Sequence, residues 1–137
     1  MHPRVELRFA PLPFIGAFAV HYWFVVYDEA GCQRWEVWQT KNAGGALCIG
    51  HVHRDLKPPQ ADVGGGPARV EAVWEDERAR RIAEVLRRAD AYPWCHRYRY
   101  WPGPNSNTFA AWVLREAGVE HVLGPRAWGK RYFTAKQ

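Results

Sequence analysis

From Phe9 to Tyr27 the chain runs for 19 residues without an Asp, Glu, Lys or Arg. Such a stretch must either lie in lipid or be buried by the rest of the protein. A spanning helix needs about 20 apolar residues, and here it would have to carry Pro11, Pro13 and His21 through the bilayer. The residues read better as a loop followed by a buried strand, Ala19 to Tyr27, dense in β-branched and aromatic side chains. No stable membrane insertion is expected. The N-terminus also lacks the basic n-region and small-residue cleavage site of a signal peptide.

Around that strand the pattern has a period of two. Val5 to Phe9 alternates apolar and polar until Pro11 and Pro13 stop any ladder. Asp28-Glu29-Ala30-Gly31 supplies turn chemistry into Cys32 to Thr40, where Trp35 and Val37 alternate with Arg34, Glu36 and Trp38, so the two runs form an antiparallel hairpin. Lys41 to Gly45 is a further turn, Ala46 to His53 a short strand, and Pro58 to Gly66 an irregular loop. Arg69 to Trp74 alternates again, with Val70, Ala72 and Trp74 on one face.

The period then becomes helical. Between Glu75 and Ala89 the apolar residues Ala79, Ile82, Ala83, Leu86 and Ala89 share one face, with acids at the first turn and Arg87 and Arg88 at the last, as the helix dipole favours. Asp90 to Pro93 closes this helix. A second helix is expected from Asn107 to Ala117 with Gly118 as its cap, and Val119 to Leu123 as a last short strand. The expected fold is a single α+β domain over residues 1–137, an antiparallel sheet of about five strands packed against two main helices.

At 137 residues the chain can bury a core without disulfides or metals. Its formal charge of +5 comes mostly from dispersed arginines, and the one dense cluster, Arg78 to Arg88, is interleaved with acids and reads as a solvated helix face. Nucleic acid is not an expected partner, because clustered positive charge is the footprint such binding needs. Cys32, Cys48 and Cys95 form no C-x-x-C pair, which implies reduced thiols and a cytoplasmic setting.

Candidate chemistry gathers at Pro102-Gly103-Pro104-Asn105-Ser106-Asn107-Thr108-Phe109. The prolines fix a turn, and Asn105, Ser106 and Asn107 are all good N-caps. Capping alone accounts for them. A serine at a helix N-terminus also gains from the dipole, and would need an imidazole to accept its proton. His21, mid-strand between Val20 and Tyr22, is the candidate base, or else a hydrogen-bonded core residue. Glu36, on the pairing strand, is the nearest carboxylate to orient it, with His51 as a competitor. His51 and His53, spaced H-x-H, would place both rings on one strand face, but a third metal ligand is not evident. No metal and no cofactor are expected.

His21-Tyr22-Trp23, Arg34-Trp35-Glu36-Val37-Trp38, Gly50-His51-Val52-His53, the Pro102 to Phe109 segment and Gly129-Lys130-Arg131-Tyr132 together resemble a bacterial domain family of unknown function, over most of the chain. The sequence is more distantly similar to the circularly permuted papain-like hydrolases and acyltransferases, the NlpC-type group containing lecithin retinol acyltransferase. There a strand histidine comes first and a nucleophile later opens a helix beginning Asn-Cys-Glu-His-Phe. Asn105-Ser106-Asn107-Thr108-Phe109 matches that start position by position and puts Ser106 in the place of the cysteine. A serine cannot inherit a thiolate mechanism unchanged.

Three readings follow. The domain is a non-catalytic or degenerate cleft, lined by Trp23, Trp101, Trp112, Asn105, Asn107 and His53, that holds a small-molecule, lipid, glycan or peptide fragment. Alternatively it is a serine-dependent hydrolase or acyltransferase with Ser106, His21 and Glu36 or His51 in the active roles. Or it is a subunit of a larger assembly with an exposed aromatic patch.

Overall fold

The computed structural model, which describes residues 2–132, is built on one antiparallel sheet. Its strands are β1 (Arg4–Pro11), β2 (Val20–Asp28), β3 (Gly31–Val37), β4 (Leu47–Ile49), β5 (Val52–Arg54) and β6 (Arg69–Trp74), in the spatial order β4-β5-β3-β2-β1-β6. Two helices, α1 (Glu77–Arg87) and α2 (Ser106–Glu116), pack on one face. This is the expected α+β class with one strand more. No helix among the described residues is long and apolar enough to cross a membrane.

Strand alternation sorts β2 cleanly. Val20, Tyr22, Phe24 and Val26 face the helices and join Trp35, Val37, Val52, Ile82, Leu86, Phe109 and Val113 in the main core. Trp23 and Val25 face the other way into a second, smaller core with Ala10. Among the described residues no helix packs on that second face. The loop between β5 and β6 covers it, the Trp23 indole N–H donating to Pro59 O.

Local chemistry sets the element ends. The Asp76 carboxylate caps α1 by accepting the Arg78 N–H, with Glu77 in the first turn and Arg87 in the last. Arg80 pairs with Glu77 and Glu84 on the exposed face, where Arg78, Arg87 and Arg88 also lie, whereas Arg81 is half-buried and donates to Ala117 O. Gly118, with φ of +67°, follows α2.

Four local expectations need correction. The run Ala46 to His53 is not one strand, because Gly50 turns the chain at φ of +62° and folds it into the β4–β5 hairpin. His51 therefore lies in a turn, and the H-x-H pair makes no shared imidazole face. In β6 a bulge opposite Leu7 and Arg8 leaves Glu71 without a partner in the ladder. It turns Val70 outward, while Glu71 accepts the Tyr22 O–H. Val119 to Leu123 is not a strand: Val119 N–H bonds back to Leu114 O, and Gly124 N–H finds the Tyr22 hydroxyl rather than a backbone carbonyl. Finally β1 reaches Pro11, which still pairs in register with Val20, and the turn begins beyond it.

Candidate functional site

On β3, Arg34 and Glu36 alternate with Trp35 and Val37 and so point away from the helices, onto the loop-covered face beside His21 and Trp23. A buried charge is tolerated only when paired and hydrogen-bonded, and Arg34, fully buried, meets that condition. Its Nε donates to Glu36 Oε2 (2.7 Å) and its Nη2 to Oε1 (3.0 Å), while Nη1 donates to the carbonyls of Pro58 (2.8 Å) and Ala61 (2.7 Å). The guanidinium also lies 4.0 Å from the centroid of the Trp23 ring. One arginine thus joins the ion pair to the covering loop.

His21 Nε2 sits 2.7 Å from Glu36 Oε1. Burial pushes the Glu36 carboxyl up, but the His21 hydrogen bond and the Arg34 charge outweigh it and hold the group below its ordinary value. An ionised carboxylate only accepts, so Nε2 carries the hydrogen. Nδ1 then has no hydrogen-bonding partner among the described residues. The ring is wedged in place, stacked at 5.6 Å on Trp23 and edge-on at 5.6 Å to Trp38.

The other wall is the start of α2. Asn105 is the N-cap: its Oδ1 accepts the N–H groups of Asn107 (2.9 Å) and Thr108 (3.2 Å), and Thr108 Oγ1 accepts the Asn105 N–H (3.1 Å), completing a capping box. The Gly129 end of the chain locks this turn, since Thr108 Oγ1 donates to Gly129 O (2.6 Å).

Asn107 does something further. β2 pairs with β3 only from Phe24 onward, and the Asn107 amide fills the gap before it. Its Oδ1 accepts the Tyr22 N–H (3.1 Å), and its Nδ2 donates to Val20 O (2.8 Å) and Trp128 O (3.0 Å). Removing it strands two buried backbone groups either side of His21. Asn107→Ala is therefore expected to cost about 2 kcal/mol in urea unfolding. A loss below about 0.5 kcal/mol, the range of an ordinary surface substitution, would show that water replaces the amide.

His21 and Ser106 line adjoining cavities that share Leu12, Tyr98 and Tyr100. The His21 part, also walled by Trp38 and Gln39, is about 120 Å³, and the Ser106 part about 20 Å³. Together they are smaller than a pocket for a drug-sized molecule and admit the end of a ligand. Ser106 Oγ donates weakly to Asn107 Oδ1 (3.4 Å) and makes no hydrogen bond to His21 among the described residues. The N–H groups of Asn107 and Thr108 are already spent on Asn105, so they do not await an oxyanion.

The structure brings His21, Glu36, Ser106, Asn105 and Asn107 to one place and leaves the rest outside it. His51 bonds Trp38 O through Nδ1 and makes no hydrogen bond to Glu36 or His21 among the described residues. His53 is fully buried, bonding His51 O through Nδ1 and accepting the Ala43 N–H on Nε2, and burial lowers its pKa. It is a neutral core residue. Trp23 and Trp112 are buried in the cores. Trp101 is exposed beside Trp128, over a separate groove. Sequence reasoning missed Arg34, whose i, i+2 spacing from Glu36 was the available signal, and Tyr98 and Tyr100, which carry no periodicity.

The model of a family described as "Protein of unknown function (DUF3750)" matches residues 2–132. No curated protein matches the chain, and no solved structure does.

Proposed function

Since the chain belongs to the DUF3750 family, whose activity is open, we propose from the cleft itself that it is a binding domain holding the end of a small-molecule, lipid, glycan or peptide ligand. One observation carries this reading: Glu36 fixes His21 through Nε2, Nδ1 has no hydrogen-bonding partner among the described residues, and the residue lines an aromatic-walled cavity without a hydrogen bond to Ser106. With Nε2–H given to the carboxylate, an Nδ1 lone pair accepts a hydrogen bond, and the ligand end that matches it is a donor, a hydroxyl or an amide N–H. Tyr98, Tyr100 and Trp38 supply the apolar contact.

A serine-dependent hydrolase or acyltransferase is the second reading. It rests on Nε2 being tied to the carboxylate, which leaves Nδ1 free beside the cleft Ser106 shares. The order of a strand histidine followed by a helix-opening residue supports a permuted papain-like architecture under either reading. The three free cysteines support a reducing, cytoplasmic setting.

Thermal-shift screening against short peptides, glycans and lysolipids tests both. We expect stabilisation by a compound recovered unchanged, retained in Ser106→Ala and lost in His21→Phe. A ligand at 100 times its Kd should add about 2.7 kcal/mol. Consumption of the compound, abolished by Ser106→Ala, would replace binding by catalysis.

A further inference from the structure

Residues 12–19 form a rigid apolar knob on the cleft side of the molecule. Leu12 N–H bonds to Ala19 O (3.1 Å), Phe18 N–H and Ala19 N–H both bond to Ile15 O (2.9 Å), and the Arg126 guanidinium donates to Gly16 O (3.0 Å). Gly16 packs so closely on Pro11 that an added Cβ would meet it at 2.6 Å. This well-tied loop nonetheless presents Phe14 and Phe18 outward, 106% and 68% exposed. Phe14 adopts a φ of +68°, which a bulky side chain rarely takes. Trp101, 67% exposed, stands against Trp128, whose ring lines the cleft alongside Leu12 at the base of the knob.

The segments that meet here carry charge of one sign. Segments 9–27, 91–107 and 121–132 contain no Asp or Glu, yet they carry Arg97, Arg99, Arg126, Lys130 and Arg131. The chain has 19 Lys and Arg against 14 Asp and Glu. Setting those five aside leaves the remainder balanced, so the whole formal excess belongs to these segments. On the neighbouring covering loop Lys57 and Asp62 offset each other.

We propose that this face docks on an anionic lipid bilayer, with Phe14, Phe18 and Trp101 entering the headgroup layer and Arg97, Arg99 and Arg131 meeting the lipid phosphates. Bulky apolar tips on segments that carry cations and no acids, with Arg126 tied to the knob and Arg131 beside Trp101, match an anionic interface, where aromatic rings settle at headgroup level. The knob's internal hydrogen bonds matter too, because backbone groups entering lipid must already be satisfied. The chain lies on the membrane and does not span it. The inference stands independently of any ligand in the cleft.

Co-sedimentation of the full chain with vesicles tests it. Association is expected with phosphatidylglycerol-rich vesicles and not with pure phosphatidylcholine, weakening as salt rises from about 0.1 M to 1 M and the screening length falls from about 10 to 3 Å. Phe14→Ser combined with Phe18→Ser should weaken it at least tenfold with an unchanged Tm. Brominated acyl chains should quench indole fluorescence in the unmodified protein, and less in Trp101→Phe. Failure to bind anionic vesicles, equal binding to neutral ones, or undiminished binding by the double variant overturns the proposal. A dimer that the double variant dissolves would instead make a second copy of the chain the occupant of this face.

Discussion

Arg34→Met is expected to destabilise the fold by about 3–5 kcal/mol, the cost of leaving a buried charge without its partner. Four hydrogen bonds go with the guanidinium, two to Glu36 and one each to Pro58 O and Ala61 O, together with its stacking on Trp23. Urea denaturation checks the size, and a loss under about 1 kcal/mol would mean the pair is not desolvated as the geometry requires. Arg34→Met with Glu36→Leu should be less damaging than Arg34→Met alone, because no carboxylate is then stranded.

The same ion pair has a pH signature. Glu36 is held below its ordinary value near 4.5 in the folded state, so the unfolded chain takes up a proton first as pH falls. Its contribution is full above that value and disappears as pH drops through the lower, folded one. The unmodified protein should lose stability over that acid range. Arg34→Met should show a shallower acid slope, because one of the groups that depress the carboxyl is gone.

Gly50→Ala is expected to cost about 3 kcal/mol. Two penalties combine: an alanine at φ of +62° is strained, and its Cβ would sit 2.1 Å from the Cys95 carbonyl oxygen. That oxygen accepts the His51 N–H (2.6 Å), so the clash also breaks the tie between the β4–β5 hairpin and the aromatic segment that carries Tyr98. Gly118→Ala is the matched control: its φ of +67° is similar, but nothing lies within 4 Å. It should lose only the backbone term, about 1 kcal/mol. Thiol labelling gives a second readout, since Cys32 and Cys48 are exposed and Cys95 is buried. Gly50→Ala should speed modification of Cys95 alone, and equal losses in the two glycine variants would remove the steric argument.

Features readable within one element were legible in the sequence. The β2–β3 hairpin, the two helices and the placing of Glu36 against His21 followed from period, turn chemistry and register, whereas turn chemistry left Asn105, Ser106 and Asn107 as equal candidates for the cap. What lay hidden depended on contacts between distant segments. Arg34 reads as an outward polar residue because alternation says only that it opposes Trp35; that this face is covered depends on a loop more than 20 residues later. Trp23 looked like a cleft wall for the same reason. The split at Gly50 was hidden because a glycine inside a strand pattern signals either a bulge or a turn, and the deciding atom, Cys95 O, is 45 residues away in the chain. Tyr98 and Tyr100 sit in a segment with no repeat to read.

Asn107 has a bearing on how the cleft can open. Its side-chain amide takes the ladder position that a β3 residue would otherwise hold, which welds the first turn of α2 to β2 at the residues flanking His21. Helix and sheet are therefore a single rigid jaw, and separating them would break the sheet itself. The opposing jaw is the aromatic stretch bearing Tyr98 and Tyr100, anchored to that turn through Asn105 Nδ2 on Tyr100 O and Arg99 N–H on Pro104 O. Breathing of the cavity would thus spare β2 and α2 and fall on this strip and on the loop segments that bring in Leu12, Gln39 and Val63, so millisecond relaxation-dispersion signals should concentrate on those amides while those of β2 and α2 stay silent.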